Sequence, residues 1–392
     1  MRQVYIAGVG STRFGRHPES SLVDLAVDAI EDAIKDARID RDVVGALYFG
    51  NFVGGQLTGQ EILAGLTADE AGLPCIPCTK VEGACASGGI AFRHAWLAVA
   101  SRSCDIAIAV GSEKMSHAST SQVTEALNCA MDIERDGASG LSFPGIFGLI
   151  YRMYESSYGD IRRKLSSVVV KNKRNGLTNP LAQMGASISV EEVEDSPMVA
   201  DPLRLFDCCP ISDGAAATVL TSRDHVVGRI HRGTKDSPVE VVAAVQTRGV
   251  PFIAGHSDMC SFSATVEATQ RVYDSTGIGP KDLDFVELHD CFSITEVLDS
   301  EDIGLVPRGE GAHWAAEGRT AVHGDIPINP SGGLLAKGHP VGATGLGQIY
   351  EAVQQLRGNH SNQVKDAEIG LTHNLGGTGV ACTVSLLRRA DA

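Results

Sequence analysis

One ordered pattern occurs twice in this chain, and it restricts the fold more than any other feature of the sequence. An apolar run, a turn of glycine and small residues, a helix of small residues and a further apolar run follow one another from Val44 to Val110. The same order returns from Asp284 to Leu387, about 240 residues later. In the first copy, Val44–Phe49 is a predicted strand closed by Gly50-Asn51. Lys80–Cys85 then leads into a helix ending near Ser101, and Asp105–Val110 is the next strand. In the second copy, Asp284–Leu288 is a strand, Ser331–Gly345 is the glycine-rich turn, and a helix runs to about Leu356. Glu368–Thr372 and Ala381–Leu387 are strands. Ahead of both, Gln3–Val9 reads as a buried strand. Ser21 is placed to cap a helix in which Leu22, Leu25, Ala26 and Ile30 share one face.

The chain therefore reads as α/β, with two similar halves, each a buried sheet covered by helices. Alternation of strands and helices is common to α/β proteins, so the repeat by itself leaves the particular fold open. The length of 392 residues exceeds what one ordinary core organises. Between the halves, Ser116 to Leu205 is rich in serine, asparagine and other polar residues, with one helix-like aromatic stretch at Phe143–Tyr158. It reads as an inserted loop domain, after which Ser212–Ser222 returns to a strand pattern that rejoins the first sheet. The expected division is residues 1–115 as the first half, completed by 206–233, residues 116–205 as the insert, and 234–392 as the second half.

A formal net charge of −15 excludes nucleic acid as an expected partner, because phosphate binding needs a clustered basic excess. No apolar run is long enough to span a bilayer. Ten cysteines are too few for a disulfide scaffold, and the end of the chain, Arg388-Arg389-Ala390-Asp391-Ala392, carries no peroxisomal tripeptide. The expectation is a reducing, cytoplasmic compartment with free thiols.

Cys85 stands in Val81-Glu82-Gly83-Ala84-Cys85-Ala86-Ser87-Gly88-Gly89, between an apolar strand and a helix of small residues. That places the thiol at a helix N-terminus, where unpaired N–H groups favour the thiolate. A buried structural cysteine fits the same context. A thiolate nucleophile needs a base and an oxyanion hole, and the second half offers groups for both. His289-Asp290-Cys291-Phe292 follows a predicted strand. Asn329-Pro330-Ser331-Gly332-Gly333 and Gly338-His339-Pro340-Val341-Gly342-Ala343-Thr344-Gly345 put a second histidine on a glycine-rich turn. His373-Asn374-Leu375-Gly376-Gly377-Thr378-Gly379 carries a third. Each histidine alone is an ordinary core or surface residue. Three on loops at corresponding strand ends, with a cysteine on a fourth, form a candidate constellation.

With these segments the sequence resembles the thiolase family nearly end to end, and within it the branch of sterol-carrier-protein-type and archaeal thiolases. Asp213-Gly214-Ala215-Ala216-Ala217 also resembles the segment that closes that family's first sheet. The resemblance implies a duplicated five-layer α-β-α-β-α fold with an inserted loop domain. It implies an acyltransferase that cleaves a 3-oxoacyl-CoA, or runs the reverse Claisen condensation, through an acyl group on Cys85. His339 would activate the thiol, and His289 and His339 would hold the thioester oxygen. The Cys85 N–H and one from Gly376–Gly377 would form a second oxyanion site. Cys291 would move a proton on or off the α-carbon. Widespread thiolases have an Asn-Glu-Ala-Phe loop and a cysteine in the last glycine loop. Here His289-Asp290-Cys291-Phe292 and His373 stand in those places, and Cys382 lies beyond the glycines, so Cys291 is the acid/base candidate.

Coenzyme A is then a substrate, with no covalently bound cofactor and no metal. Lys171, Lys173 and Arg174, with Lys164 nearby, are candidates for its phosphates, although a solvated helix face explains the same cluster. Phe143–Tyr158 either roofs the acyl pocket or packs a core. Cys75-Ile76-Pro77-Cys78 lacks a second pair at zinc-site spacing, and Cys208, Cys209 and Cys260 read as packing residues. The resemblance also implies a homodimer, with Thr79–Gly83 pairing across a two-fold axis. It further suggests a small zinc-ribbon/OB-fold acyl-CoA-associated subunit. Two other activities compete: a carbon–carbon lyase of retro-aldolase type acting on CoA esters, and a non-catalytic lipid-binding subunit. The acyl group, whether short, fatty, sterol or aromatic such as benzoylsuccinyl, is not legible in the motifs.

Overall fold

The computed structural model describes residues 2–229 and 236–390. The expected boundary between 233 and 234 and the last residues, 391–392, lie outside the described residues. Among the described residues there are eleven strands: β1 (Val4–Ser11), β2 (Ala46–Gly50), β3 (Cys78–Val81), β4 (Ile106–Glu113), β5 (Met198–Ala200), β6 (Leu203–Arg204), β7 (Gly214–Ser222), β8 (Val239–Arg248), β9 (Phe285–Glu287), β10 (Ile369–Gly376) and β11 (Ala381–Arg389).

Nine of them form one continuous sheet in the order β3-β2-β4-β7-β1-β8-β11-β10-β9. Read outward from the β1–β8 junction, the two sides match strand for strand. β7 and β11 run antiparallel to their inner neighbours. β4 and β10 run antiparallel to those, and β2 and β9 run parallel to β4 and β10. β3 has its counterpart in a single parallel bridge between Val286 and Ile328. The two halves join where β1 pairs antiparallel with β8, Val4 facing Val241 and Ile6 facing Val239. At the other end β3 has a partner only in β2, and its second edge is open among the described residues.

The period of two along each strand sorts the layers. Val4 and Ile6 of β1, Ala107 and Ala109 of β4, and Ala216 and Leu220 of β7 point to one core. There they meet two helices, Ser87–Ala100 through Phe92, Ala95 and Val99, and Thr344–Arg357 through Leu346, Ile349 and Val353. Tyr5, Ala7, Ile108, Val110 and Val219 point the other way, against the helix Leu22–Ala37. The second half repeats this, with Val286, Leu371, Val384 and Leu386 facing the helices Ser263–Thr276 and Ser293–Asp302. The layers are therefore α-β-α-β-α, with the two small-residue helices in the middle. Strands covered on both faces explain why the sequence shows continuous apolar runs instead of clean alternation. Burial of this kind contributes about 25 cal/mol per Å² of apolar surface, which is why these strands hold the fold.

The middle helices begin almost in contact. A Cβ on Gly345 would meet the Gly89 nitrogen at 2.4 Å. This approach brings the loop before Ser87 and the loop before Thr344 together, and those loops carry Cys85 and His339. Ser21 caps the first helix by accepting from the Asp24 N–H in a capping box, as its position predicts.

The insert is mostly helical, with Phe143–Tyr158 and Arg162–Thr178 as its longest elements. It has no separate core. Phe147, Ile150, Tyr151, Leu165, Val168 and Val169 pack with Leu288, Val297, Leu298 and Leu335 of the second half. The insert is thus a cover packed largely onto the second half, with Val123 and Ala126 reaching Val53 and Met115 of the first, and this fixes Phe143–Tyr158 over the strand ends.

Candidate active site

β3 ends at Val81, and the chain turns sharply before the helix Ser87–Ala100. Ala84 takes a left-handed φ of 52°, a strained conformation for a residue with a side chain. Ser87 stabilises the turn: its hydroxyl accepts from the Gly83 N–H at 3.0 Å and donates to the Ala84 carbonyl at 2.6 Å. Cys85 sits on this turn, two residues ahead of the helix, and faces a cavity.

The helix N-terminus does not make Cys85 a thiolate. Burial pushes its thiol up to about 12, although its own N–H and that of Gly377 lie against the sulfur and favour the anion; the carboxyl groups of buried Glu113 and exposed Glu82 add to the rise. The free protein therefore holds a neutral thiol at Cys85: the N–H groups favour the anion, as the sequence position implies, but burial outweighs them.

Two histidines stand against that thiol. The Cys85 sulfur and one ring nitrogen each of His289 and His339 lie within 4.8 Å of one another, and the two rings meet edge to face with centroids 5.0 Å apart. Their hydrogen bonds assign different tautomers. Asn374 Oδ1 accepts from the Gly89 N–H at 3.3 Å, which orients the amide. Its Nδ2 then donates to the Cys85 carbonyl at 2.9 Å and to His289 Nδ1 at 3.2 Å. His289 Nδ1 is thus an acceptor, and the proton sits on Nε2. For His339, Nδ1 is 2.7 Å from the Thr344 hydroxyl, which donates to the Pro340 carbonyl at 3.0 Å. Thr344 must accept from Nδ1–H, so Nε2 carries a lone pair. That Nε2 is buried and has no hydrogen-bond partner among the described residues. Burial lowers His339 to about 3 and holds His289 well below the ordinary histidine range, with the neighbouring His339 adding to the effect, so both rings are neutral.

The trio has the composition of a metal site, but its tautomers do not suit one. A metal needs a lone pair from each imidazole, and the Asn374 amide keeps a proton on His289 Nε2.

Cys291 follows two residues after His289 and lines the same cavity; burial, with Cys209 and Cys85 nearby, keeps its thiol protonated. Of the last glycine loop, Gly377 is the residue whose N–H reaches the sulfur. Gly376 backs the loop against the Gly83 carbonyl, which a Cβ would meet at 2.2 Å. His373 is not in the cavity. Its Nδ1 accepts from the His289 N–H at 3.4 Å, and its Nε2 lies 3.0 Å from the Thr265 hydroxyl, behind the site. Cys382 is also behind, beside Thr247 and Thr265.

The lysine cluster is corrected. Lys171 is buried, its ammonium donating to the Ile328 carbonyl at 2.7 Å and pairing with Glu296 at 2.6 Å. Lys173 is buried too, donating to the Leu335 carbonyl at 2.7 Å, and burial lowers it to about 8. Both tie the insert to the second half and neither is open to a ligand. Arg174 is exposed.

Three further groups belong to the site. Glu113, at the end of β4, is buried and raised to about 7; it accepts from Asn51 Nδ2, the Phe52 N–H and the Gly342 N–H, holding the His339 loop onto the first half. Asp290 accepts from Asn172 Nδ2 and the Leu334 N–H, fixing the strand end that bears His289. Cys209, read from sequence as packing, lines the cavity, and its N–H donates to the Cys291 carbonyl at 3.0 Å. The rest of the wall is apolar: Phe52, Leu127, Phe143, Phe147, Phe292 and Val341.

Comparison with known proteins finds relatives along nearly the whole chain. The profile of the thiolase N-terminal domain matches residues 4–224, and that of a thiolase C-terminal domain-like unit matches residues 250–389. The chain is 44% identical to the acetyl-CoA acetyltransferase of Methanothermobacter thermautotrophicus over 390 residues, covering 99% of this chain and 100% of that one. It is 37% identical to the benzoylsuccinyl-CoA thiolase subunit BbsB of Thauera aromatica, covering 96% and 95%. Among solved structures, an Ltp2-ChsH2(DUF35) aldolase superposes with a TM-score of 0.84 at 26% identity, covering 99% of this chain and 98% of that one. The Acat5 thiolase from Ascaris suum in complex with coenzyme A gives 0.73 at 18% identity, covering 99% and 100%, a likeness of fold.

Proposed function

This chain belongs to the thiolase family and is a CoA-dependent acyltransferase, and from that premise we propose how its own residues divide the work. The opposite tautomers of His289 and His339 around one thiol carry the reading.

A 3-oxoacyl-CoA enters with its keto carbon at Cys85. His339 Nε2, the open lone pair, takes the thiol proton as the sulfur adds to that carbon. The oxyanion formed there is held by the Cys85 and Gly377 N–H groups. Breaking the carbon–carbon bond releases acetyl-CoA as an enolate, whose oxygen accepts from His289 Nε2–H and from the proton His339 has just gained. Cys291 gives its proton to the α-carbon. Incoming CoA then surrenders its thiol proton to Cys291 and takes the acyl group from Cys85, whose sulfur recovers its proton from His339. The acyl-enzyme is itself a thioester, so its transfer to CoA is nearly isoenergetic and the sequence runs in either direction.

Retention of a nucleophilic thiol favours this reading over the lyase, in which no acyl-enzyme forms. For the CoA phosphates the candidates are exposed cations: Arg174, and Arg135, which in sequence lies between the cavity-lining Ala130 and Phe143 and stacks on Phe252 at 4.2 Å. A homodimer is supported by the open edge of β3, where Thr79 is exposed. The DUF35 chain named with the aldolase structure supports a second, small subunit. Among the described residues no helix is long and apolar enough to cross a membrane, in keeping with a cytoplasmic enzyme. Mass spectrometry after incubation with acetoacetyl-CoA tests the assignment: an acetyl adduct on the Cys85 peptide supports it, and an adduct elsewhere, or none, removes it.

A further inference from the structure

We infer that Phe147, stacked on Phe292, is a specificity-determining wall that confines the enzyme to short, unbranched 3-oxoacyl-CoA esters; this rests on the thiolase reading and deepens it. The free space against Cys85 is about 80 Å³. A cavity of roughly 150 Å³ is what accommodates a benzene ring, and one water takes roughly 30 Å³. The space thus suits an acyl group of a few heavy atoms and is too small for an aromatic ring, a long chain or a sterol side chain.

The wall is also chemically blank. Apart from Cys85, Cys209, Cys291, His289 and His339, the lining is apolar, so an acyl group bearing a carboxylate or hydroxyl away from the reacting carbons would bury it without a partner.

Nor can the wall retreat easily. Phe147 is 1% exposed and lies between two rings, Phe292 at 4.6 Å with planes 28° apart and Phe262 at 6.3 Å. The helix that carries it is closed from behind: a Cβ on Gly148 would meet the Asp201 carbonyl oxygen at 2.8 Å. Moving Phe147 outward would drive the helix into that carbonyl. Phe292 is held by its neighbours, since its N–H donates to the Thr295 hydroxyl and the adjacent Cys291 carbonyl accepts from Cys209.

The test is a chain-length series, acetoacetyl-CoA through 3-oxooctanoyl-CoA, with the wild type, Phe147→Leu and Phe147→Ala, reading kcat/KM for thiolysis and KM for CoA. The wild type is expected to favour acetoacetyl-CoA by about 100-fold or more, since each methylene that does not fit is worth about ten-fold or more. Phe147→Ala is expected to reduce that ratio at least about ten-fold, with Phe147→Leu between. A wild type that accepts both ends of the series equally overturns the wall, as does an unchanged ratio in a folded variant. A change confined to KM for CoA overturns it too, because the ring would then line the pantetheine path. Phe147→Leu and the wild-type series decide the matter if Phe147→Ala does not fold. An absence of any acyl adduct on wild-type Cys85 overturns the thiolase reading and the wall with it, whereas an adduct with equal rates along the series overturns the wall alone.

Discussion

Asn374 ties the backbone of Cys85 to the ring of His289: one amide group donates to the Cys85 carbonyl at 2.9 Å and to His289 Nδ1 at 3.2 Å. A residue on β10 of the second half therefore sets both the position of the nucleophile's turn, in the first half, and the tautomer of a histidine on a different loop. Without that amide, His289 is free to carry its proton on Nδ1 and to present a lone pair where a developing oxyanion needs a donor.

Asn374→Asp should be a severe variant despite its size. The carboxylate accepts from His289 and cannot donate to it, so the proton moves to Nδ1. Loss of one oxyanion donor costs about 10²- to 10³-fold in kcat. The expected result is a kcat loss of that order with KM for CoA little changed. A kcat within a few-fold of wild type would show that His289 is not the donor.

Alkylation of Cys85 by iodoacetamide should report a thiol, not a resting ion pair. The thiol is pushed up to about 12 and His339 down to about 3, so the thiolate fraction in the free enzyme is small at neutral pH and grows with pH. The rate, followed by mass spectrometry of the Cys85 peptide, is expected to rise about ten-fold per pH unit between about 7 and 9. A plateau already reached at neutral pH would mean that a thiolate–imidazolium pair exists before substrate arrives.

Glu113 should make stability fall as pH rises. Its folded-state pKa of about 7 lies above the ordinary 4.5, so between those values the folded chain holds a proton that the unfolded chain has released. The stability linked to that proton is complete below about 4.5 and is lost as pH rises through about 7, on the order of 3 kcal/mol for a shift of this size. Burial also holds His289 and His339 below the ordinary histidine range, which pushes stability the other way below about 6.5, so the reading is a difference between proteins. From pH 5 to pH 8 the urea midpoint of Glu113→Gln should fall less, or rise more, than that of the wild type; Glu287, also raised to about 7 by burial and by the charge of Glu351, contributes equally to both. An identical change in the two proteins would mean that Glu113 is ionised across the whole range.

The motifs made the reacting groups legible because the chemistry needs rare local structure. Gly338–Gly345 and His373–Gly379 are glycine-rich since loops from both halves crowd one point, and such crowding leaves a mark in sequence. The layer order was legible as well, since strands buried on both faces must be apolar throughout. The lysines were not. Lys171 and Lys173 look like a solvated basic cluster, yet their ammonium groups end on the Ile328 and Leu335 carbonyls, partners that only the folded insert brings within reach. Cys209 was hidden for a similar reason. Nothing in Cys208-Cys209 marks a site; a bridge from Cys208 to Phe292 places it there. The ionisation of Cys85 also depended on tertiary burial outweighing a local helix end.

Three cysteines lie near the α-carbon chemistry in sequence or in space, and their variants should separate cleanly. Cys291 faces the cavity with a thiol kept protonated by burial, as a proton donor to the enolate must be. Cys291→Ala should still take an acetyl group from acetyl-CoA onto Cys85, because His339, having taken the Cys85 proton, can pass it to the departing CoA sulfur that Cys291 otherwise protonates. It should lose carbon–carbon cleavage and condensation by about 10²- to 10⁴-fold, the usual worth of a positioned acid/base. Exchange of the acetyl-CoA methyl protons with deuterium, read by NMR, should disappear with it. Cys209→Ala keeps the backbone N–H that anchors the Cys291 carbonyl at 3.0 Å and removes only a neighbouring thiol, so exchange should persist within about ten-fold. Cys382→Ala alters a buried residue beside Thr247 and Thr265, outside the cavity, and should leave exchange intact. If exchange survives in Cys291→Ala and vanishes in Cys209→Ala, the proton passes through Cys209 and the assignment of Cys291 is wrong.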